Sequence, residues 1–339
     1  MAEKEEKQAP ASSENWKDAL TLAKKEFATW ESRGEKIVKR YRDDRGETDQ
    51  TKRYNVLWSN VRTLLPAVYA KKPTAQADRR YKDADPVGRT AAQILERCLQ
   101  YEIDHYADFD STLRNAVLDR LLPGRGVAWI RYEQEEANPD GDGDDVQATQ
   151  SPTIAGGLEN EPDGQITDDV EAERELAYEC SPCDYVFWKD FRHSPARTWE
   201  EVTWVARRVY MGKAEGIERF GEEFKQVPMT HEPIGIDELK RDGSTSALDN
   251  MKKAIVWEIW DKPTRKVYWY AQDWPTVLDE KDDPLELDGF FPCPKPLYAT
   301  LTTDTLVPVP DYAEYQDQAQ EMDNRSEEHT SELQSRSAI

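Results

Sequence analysis

Between Leu121 and Val127 the apolar period of the chain changes from that of a helix to two, and Pro123-Gly124 marks the change. No single regular element can cross such a boundary, so helices must come first and strands after. Upstream, Trp16, Leu20, Ala23, Phe27, Trp30, Gly34, Ile37 and Tyr41 alternate in steps of four and three. That spacing predicts one long helix from about Glu14 to Arg42, capped by Ser12 or Ser13. It fits a coiled-coil seam or a long amphipathic helix lying on a core; Gly34 weakens the seam and favours the second. A second helix is expected from about Thr51, with Tyr54, Leu57, Trp58, Val61, Leu64, Leu65 and Val68 on a broad apolar face. Pro66 should kink it, and Lys71-Lys72-Pro73 should end it. Asp85-Pro86 is a cap followed by proline at the first helical position. From there Val87, Ala91, Ile94, Leu95, Cys98 and Leu99 define a third helix to about Tyr106. A fourth, capped near Asp110, uses Leu113, Val117, Leu118 and Leu121.

Past the boundary, Val127 and Trp129 alternate with Ala128, Ile130 and Tyr132, as a strand requires. Residues 134–175 carry fourteen Asp or Glu and one basic residue, Arg174, the composition of a disordered acidic loop. Asp140, Asp142 and Asp144 imitate the start of a calcium loop, but Asp145 stands where glycine is needed and Ser151 where glutamate is needed. A strand and turn are expected over Tyr178 to Phe191, a strand over Val202 to Tyr210, a short helix over Lys213 to Phe220, and a hairpin in which Ile255 to Trp260 faces Val267 to Tyr270 across Lys262 to Arg265. Then Pro292, Pro294, Pro296, Pro308 and Pro310 exclude helix and central strand. They predict a stiff extended arm with apolar clusters at Phe290-Phe291 and Leu297-Tyr298. A helix follows from Asp311, with Tyr312, Tyr315, Ala319 and Met322 on one face and Glu314, Asp317, Gln318 and Glu321 on the other. Such an arm either leaves its own domain to pack elsewhere or is an ordinary irregular connection before a surface helix. The fold class is α+β. Its parts are a disordered tail over 1–14, a helical region over 15–133, the acidic loop over 134–175, a strand-rich region over 176–284, and the arm with the start of a helix over 285–324.

Residues Arg325 to Ser335, RSEEHTSELQS, read as one frame of a common short-read sequencing adapter. The segment 325–339 is therefore taken as adapter-derived and set aside from the fold, His329 included. The natural chain is expected to continue past residue 324.

Charge narrows the function. With 45 Lys and Arg against 68 Asp and Glu, the net charge is −23. A chain so acidic does not bind nucleic acid tightly by neutralising phosphates, although it can stand beside it. Eleven Trp and fifteen Tyr on a polar background fit a protein that buries surface against partners. There is no apolar run of membrane-spanning length. Chemistry is sparse. Cys180-Ser-Pro-Cys183 has redox spacing but strand-like flanks, where no helix dipole activates a thiol. Gly216 to Gly221 has the glycine spacing of a phosphate loop, but Glu222 and Glu223 follow where Lys and Ser or Thr are required. His105, His193 and His231 have no partner at a recognisable spacing. No catalytic, cofactor-binding or metal-binding residue is expected, and the chain is not read as an enzyme.

Four stretches, in order, resemble the portal proteins of tailed bacteriophages, of the type found in short-tailed phages. They are Asn55 to Arg80 (NVLWSNVRTLLPAVYAKKPTAQADRR), Ser181 to Met211 (SPCDYVFWKDFRHSPARTWEEVTWVARRVYM), Ala254 to Trp269 (AIVWEIWDKPTRKVYW) and Gly289 to Gln320 (GFFPCPKPLYATLTTDTLVPVPDYAEYQDQAQ). The resemblance spans about residues 15 to 324. The acidic loop departs from it, and the family's remaining stem, clip and crown are not seen. What the resemblance implies is a ring, usually dodecameric, at one capsid vertex of the virion, made in the host cytoplasm, with the helical and strand-rich regions as wing and the helix from Asp311 as the start of the stem. Implied partners are further copies of the chain, the large terminase subunit, major capsid and scaffolding proteins, head-completion and tail proteins, and double-stranded DNA passing through without sequence-specific binding. On this view Glu314, Asp317, Gln318 and Glu321 face the channel, and Tyr312, Tyr315, Ala319 and Met322 pack on neighbouring subunits. A metal-dependent hydrolase using clustered carboxylates, or an adaptor or scaffold of another assembly, are the alternatives.

Overall fold

A computed structural model describes residues 13–44, 54–79, 85–105, 109–136, 176–232 and 251–325. The Ser12 cap, the calcium-like residues of the acidic loop and His329 lie outside the described residues. The chain is α+β, with helices first and antiparallel sheets after, in the order the period change dictates.

Helix α1 (Ser13–Arg42) is the long amphipathic helix, and its seam lies on a core. Trp16, Ala23, Phe27, Trp30 and Ile37 are all buried. The glycine that interrupts the seam has a packing reason. A Cβ on Gly34 would stand 3.0 Å from the Trp188 ring and 3.1 Å from Pro123, so any side chain here would push these neighbours back by a few tenths of an ångström. Helix α2 (Val56–Val68) starts after Tyr54, the first residue of its expected apolar face, and ends with Val68, the last, before the expected stop at Lys71-Lys72-Pro73. Asn55 sets its start by accepting from Trp58 N, while its Nδ2 donates to the carbonyls of Arg40 and Tyr41 at the end of α1. One side chain thus satisfies orphan groups of two helices. Only Leu57 and Val61 of α2 are buried. Helix α3 (Pro86–His105) is capped by Asp85, which accepts from Val87 N and Gly88 N. It buries no residue at all, and Ile94, Leu95 and Leu99 of its apolar stripe are exposed. Helix α4 (Phe109–Leu121) packs into the body and stops at Gly124, whose φ of +99° is easy only for glycine.

The strands follow: β1 (Arg125–Ile130), β2 (Glu133–Glu136), β3 (Leu176–Cys180), β4 (Cys183–Val186), β5 (Phe191–His193), β6 (Trp204–Met211), then helix α5 (Lys213–Phe220), and β7 (Ala254–Asp261), β8 (Lys266–Ala271), β9 (Val277–Asp282) and β10 (Leu297–Tyr298). The main sheet has the order β5-β6-β7-β8-β9, all antiparallel. Residues 134–136, assigned from composition to the acidic loop, instead pair with β3, so the acidic stretch is the connection of a hairpin. Side chains with apolar neighbours on both faces make the sheet a central layer. Trp257, Ile259, Tyr268 and Tyr270 point to α1, while Val256, Trp260, Val267 and Trp269 point to a second core with Trp129 and Phe191. A third cluster joins α1, α2 and α4 through Ile37, Leu57, Val61, Val117 and Leu121.

The proline arm does not leave its domain. Phe290 is fully buried against Trp260, Tyr298 pairs with Arg125 on β1, Val307 packs on the cluster beneath α1, and Tyr312 reaches the cluster of α2 and α4. It is a strap that visits all three apolar clusters of its own chain. Proline keeps it extended without needing ladder partners along its length.

Candidate functional site

The strap delivers the chain to the helix from which function was expected. Asp311–Glu314 forms a 3-10 turn, Tyr315 breaks it, and helix α6 runs over 316–325. The expected single helix from Asp311 is therefore two pieces. The Tyr315 backbone, at φ −129° and ψ 11°, turns the second away from the first.

Three polar moorings, not anticipated from the sequence, hold this segment. Arg120 at the end of α4 pairs with Asp311. Arg40 at the end of α1 pairs with Asp323 at 2.5 Å, and the other oxygen of Asp323 accepts from Tyr54 N at 3.0 Å. The Asp323 side chain is 2% exposed, which makes this a paired, hydrogen-bonded buried carboxylate rather than a surface bridge. The third is a hydrogen bond between Tyr315 and Asn60 of α2; burial raises the Tyr315 phenol above its ordinary range, and that bond opposes the rise. Sequence spacing gives no sign of pairs separated by 191 and 283 positions.

With these moorings made, one face of α6 is left in water. Asp317, Gln318 and Glu321 are exposed on α6 and Glu314 is exposed on the 3-10 turn before it; Glu321 pairs within the helix with Arg325, the first residue of the adapter-like segment. The opposite set divides. Ala319 is buried, Tyr312 packs on α2 and α4, and Tyr315 meets Tyr312 edge to face at 5.2 Å. These three have partners inside their own chain. Met322 alone of the four is open to solvent, 49% exposed.

Elsewhere the geometry offers little chemistry. A cavity of about 30 Å³ is lined by Trp129, Trp260, Trp269, Arg131, Arg207 and Glu258. It holds a water or two rather than a metabolite. Glu258 already accepts from Arg207 Nε at 2.7 Å and Trp260 Nε1 at 2.8 Å. Among the described residues no group of three or more His, Cys, Asp or Glu is placed to hold a metal ion. Cys180 ends β3 and Cys183 begins β4, both as free thiols, and burial pushes Cys183 up to about 11 and Cys180 in the same direction. An activated thiol needs the opposite shift. Gly216 lies inside α5, where a Cβ would collide with the Phe224 ring at 1.9 Å, so its glycine serves packing. His193 is enclosed beside Phe27 with Nδ1 2.8 Å from the Ser194 carbonyl, and burial holds it down to about 3, hence neutral. His231 rests on Tyr210 and His105 on Tyr101.

The sequence offers no hint of Arg125. Its guanidinium is fully buried between the rings of Phe27 and Trp30, at 4.7 and 4.5 Å, and donates to the carbonyls of Trp188 and Phe191. Burial lowers it to about 10, still charged at neutral pH. It ties α1 to β1 and β5, a structural role.

No described helix is long and apolar enough to cross a membrane. Neither a family model nor a curated protein sequence matches the chain.

Proposed function

We propose that this chain is the wing and the start of the stem of a phage-type portal ring, the channel at one capsid vertex through which DNA is packaged and ejected. The observation that carries the reading is the outer face of α6. Asp317, Gln318 and Glu321 on this helix, and Glu314 on the turn before it, are all in water at the end of the strap. Repeated around a ring, those carboxylates would line a path with a negative field that lets a polyanion slide rather than stick. Met322 is left for a neighbouring helix, whereas Tyr312, Tyr315 and Ala319 already have partners within the chain. The apolar stripe of α3, without a buried residue in the single chain, fits a protein completed by assembly. The four ordered stretches of portal-like sequence supply the family. Partners would be further copies, terminase, capsid and scaffolding proteins, and head-completion or tail proteins. DNA would pass without sequence-specific contact.

The test is electron microscopy of the complete reading frame purified alone, with hydrolysis of nucleotides and phosphodiesters assayed in magnesium and manganese. Closed rings without hydrolytic activity are expected. Monomers with metal-dependent hydrolysis would replace this reading with that of an enzyme. A gene without a large terminase gene beside it, in a chain that forms no ring, would point to an adaptor or scaffold.

A further inference from the structure

The charge of this chain is divided by region. Residues 1–133 carry 25 Lys and Arg against 22 Asp and Glu, whereas residues 134–339 carry 20 against 46. The outer face of α1 concentrates the positive part. Lys24, Lys25, Arg33, Lys36, Lys39 and Arg42 are all exposed. None of them forms an ion pair with another described residue. They span nineteen positions, about 27 Å of helix. The one exposed carboxylate between them, Glu35, is already taken by Lys189, and Glu31 is taken by Arg192. A cationic ridge, with Glu35 within it and Asp43 and Asp44 at its end, therefore stands on a protein of net charge −23.

We infer that this ridge is one half of the contact between neighbouring copies of the chain, and that it docks on the acidic edge of the main sheet of the next copy. The inference rests on the ring reading above. A ring is built from two different faces of the same molecule, so its halves need only be complementary to each other. Copies with a charge of −23 repel, and contact is most favourable where the basic minority of one meets the acidic majority of the next. The acidic half is β9 with the turn after it. Residues 279–288 hold six Asp or Glu against one lysine, and Glu280, Asp282, Glu286 and Asp288 are exposed. Among the described residues β9 ends the sheet, so no further strand covers it. Lys266 answers Glu280 and Asp282 from β8, Arg265 answers Asp283, and Arg219 stands 4.0 Å from Asp279, so the six carboxylates still outnumber the cations around them and the edge stays negative. Duplex DNA is the weaker candidate for the ridge, because the rest of each chain would repel it.

The test is a charge swap in the complete reading frame, with ring assembly followed by sedimentation at low and high salt. Reversing the ridge (Lys24→Glu, Lys25→Glu, Lys36→Glu) should raise the concentration at half assembly about tenfold at low salt, and by much less at high salt, where charges are screened. Reversing the edge (Glu280→Lys, Asp282→Lys, Asp288→Lys) should do the same. Combining the two should restore assembly. Thermal melts of the unassembled variants should match the parent, since all six side chains are exposed. Rings that form equally well with the ridge reversed overturn this inference and leave the ring reading standing, as does a combined variant that stays unassembled. Loss of duplex DNA binding with unchanged assembly would assign the ridge to DNA instead. A parent chain that never assembles overturns both readings.

Discussion

Helices α1 and α6 meet where Arg40 pairs with Asp323, and they are held by opposite means. Along α1, six side chains from Trp16 to Ile37 are buried, and its charges project outward with a positive excess. Along α6 only Ala319 and Asp323 are buried, and its outer charges are negative. The first helix belongs to the body through apolar burial, which is non-directional and large. The second is attached through a few directional polar contacts, each of which can be lost singly. A similar apolar spacing thus marks a structural helix in one place and a detachable one in another.

The strongest way to break this contrast is to empty the seat of α1. Phe27→Ala should cost about 3–5 kcal/mol, because the ring is fully enclosed by Trp30, His193 and Arg125 and its loss leaves a cavity. Denaturant melts would measure it, and a loss below about 1 kcal/mol would mean α1 is not part of the core. Asp323→Ala should be smaller in the global melt but large locally. It strands the Arg40 guanidinium and frees Tyr54 N, so α6 should detach. Limited proteolysis within 316–325 should then quicken about tenfold while the melting temperature falls less than for Phe27→Ala.

Acid sharpens the comparison, because one titrating group lies under α1 and another beside the α4 mooring of the strap. His193, beneath α1, is held from its ordinary 6.5 down to about 3. Its contribution is complete above pH 6.5 and is lost as pH falls towards 3. Asp119 neighbours Arg120 and bonds the Tyr185 hydroxyl at 2.5 Å, and burial raises its carboxyl from 3.8 to about 7. Its contribution has the reverse sign, complete below pH 3.8 and lost as pH rises through 7. Between about pH 4 and 6.5 the two oppose one another, at about 1.4 kcal/mol per unit of pH each. Asp119→Asn should therefore steepen the loss of stability between pH 6.5 and 4. An unchanged pH profile in denaturant melts would show that Asp119 does not titrate there.

The smallest effect on stability belongs to the exposed charges of α6 and of the turn before it. Glu314→Lys with Asp317→Lys should shift the melt by no more than about 0.5 kcal/mol, since both side chains are in water. On the proposed portal reading, the same pair in the complete protein should slow DNA packaging at low salt and recover in part as salt rises. Normal packaging at every salt concentration would remove these side chains from the DNA path.

Most elements were legible in the sequence because they rest on local rules. The period change at Pro123-Gly124, the Asp85-Pro86 start of α3, the limits of α5 and the β7–β8 hairpin all follow from spacing, capping or turn chemistry within a few residues. Strand β9 was missed because residues 277–282, VLDEKD, lack the apolar alternation of a half-buried strand; their place is set by β8 alone. Whether the strap departs from its domain or is a connection within it stayed open, because prolines report backbone conformation and say nothing of destination. The polar residues that fix the candidate site, Arg40, Arg120, Asp311 and Asp323, pair across most of the chain, and no local pattern encodes such pairs. The solvent face of α6 was legible because exposure, unlike partnership, can be read from one helix.

The strap also sets an order of events during synthesis. Helices α1 to α4 leave the ribosome early, yet the cores they face stay open until residues 290–312 have been made, because Phe290, Tyr298, Val307 and Tyr312 close them. Strand β1 can pair with β4 early, but it must wait about 170 residues for β10 on its other edge, a closure that is slow for entropic reasons. Until then Trp129, Trp260 and the apolar seam of α1 are incompletely covered. A ribosome stalled before Phe290 should therefore carry a nascent chain that chaperones bind, and one stalled far enough past Tyr312 for that residue to clear the exit tunnel a chain that they release.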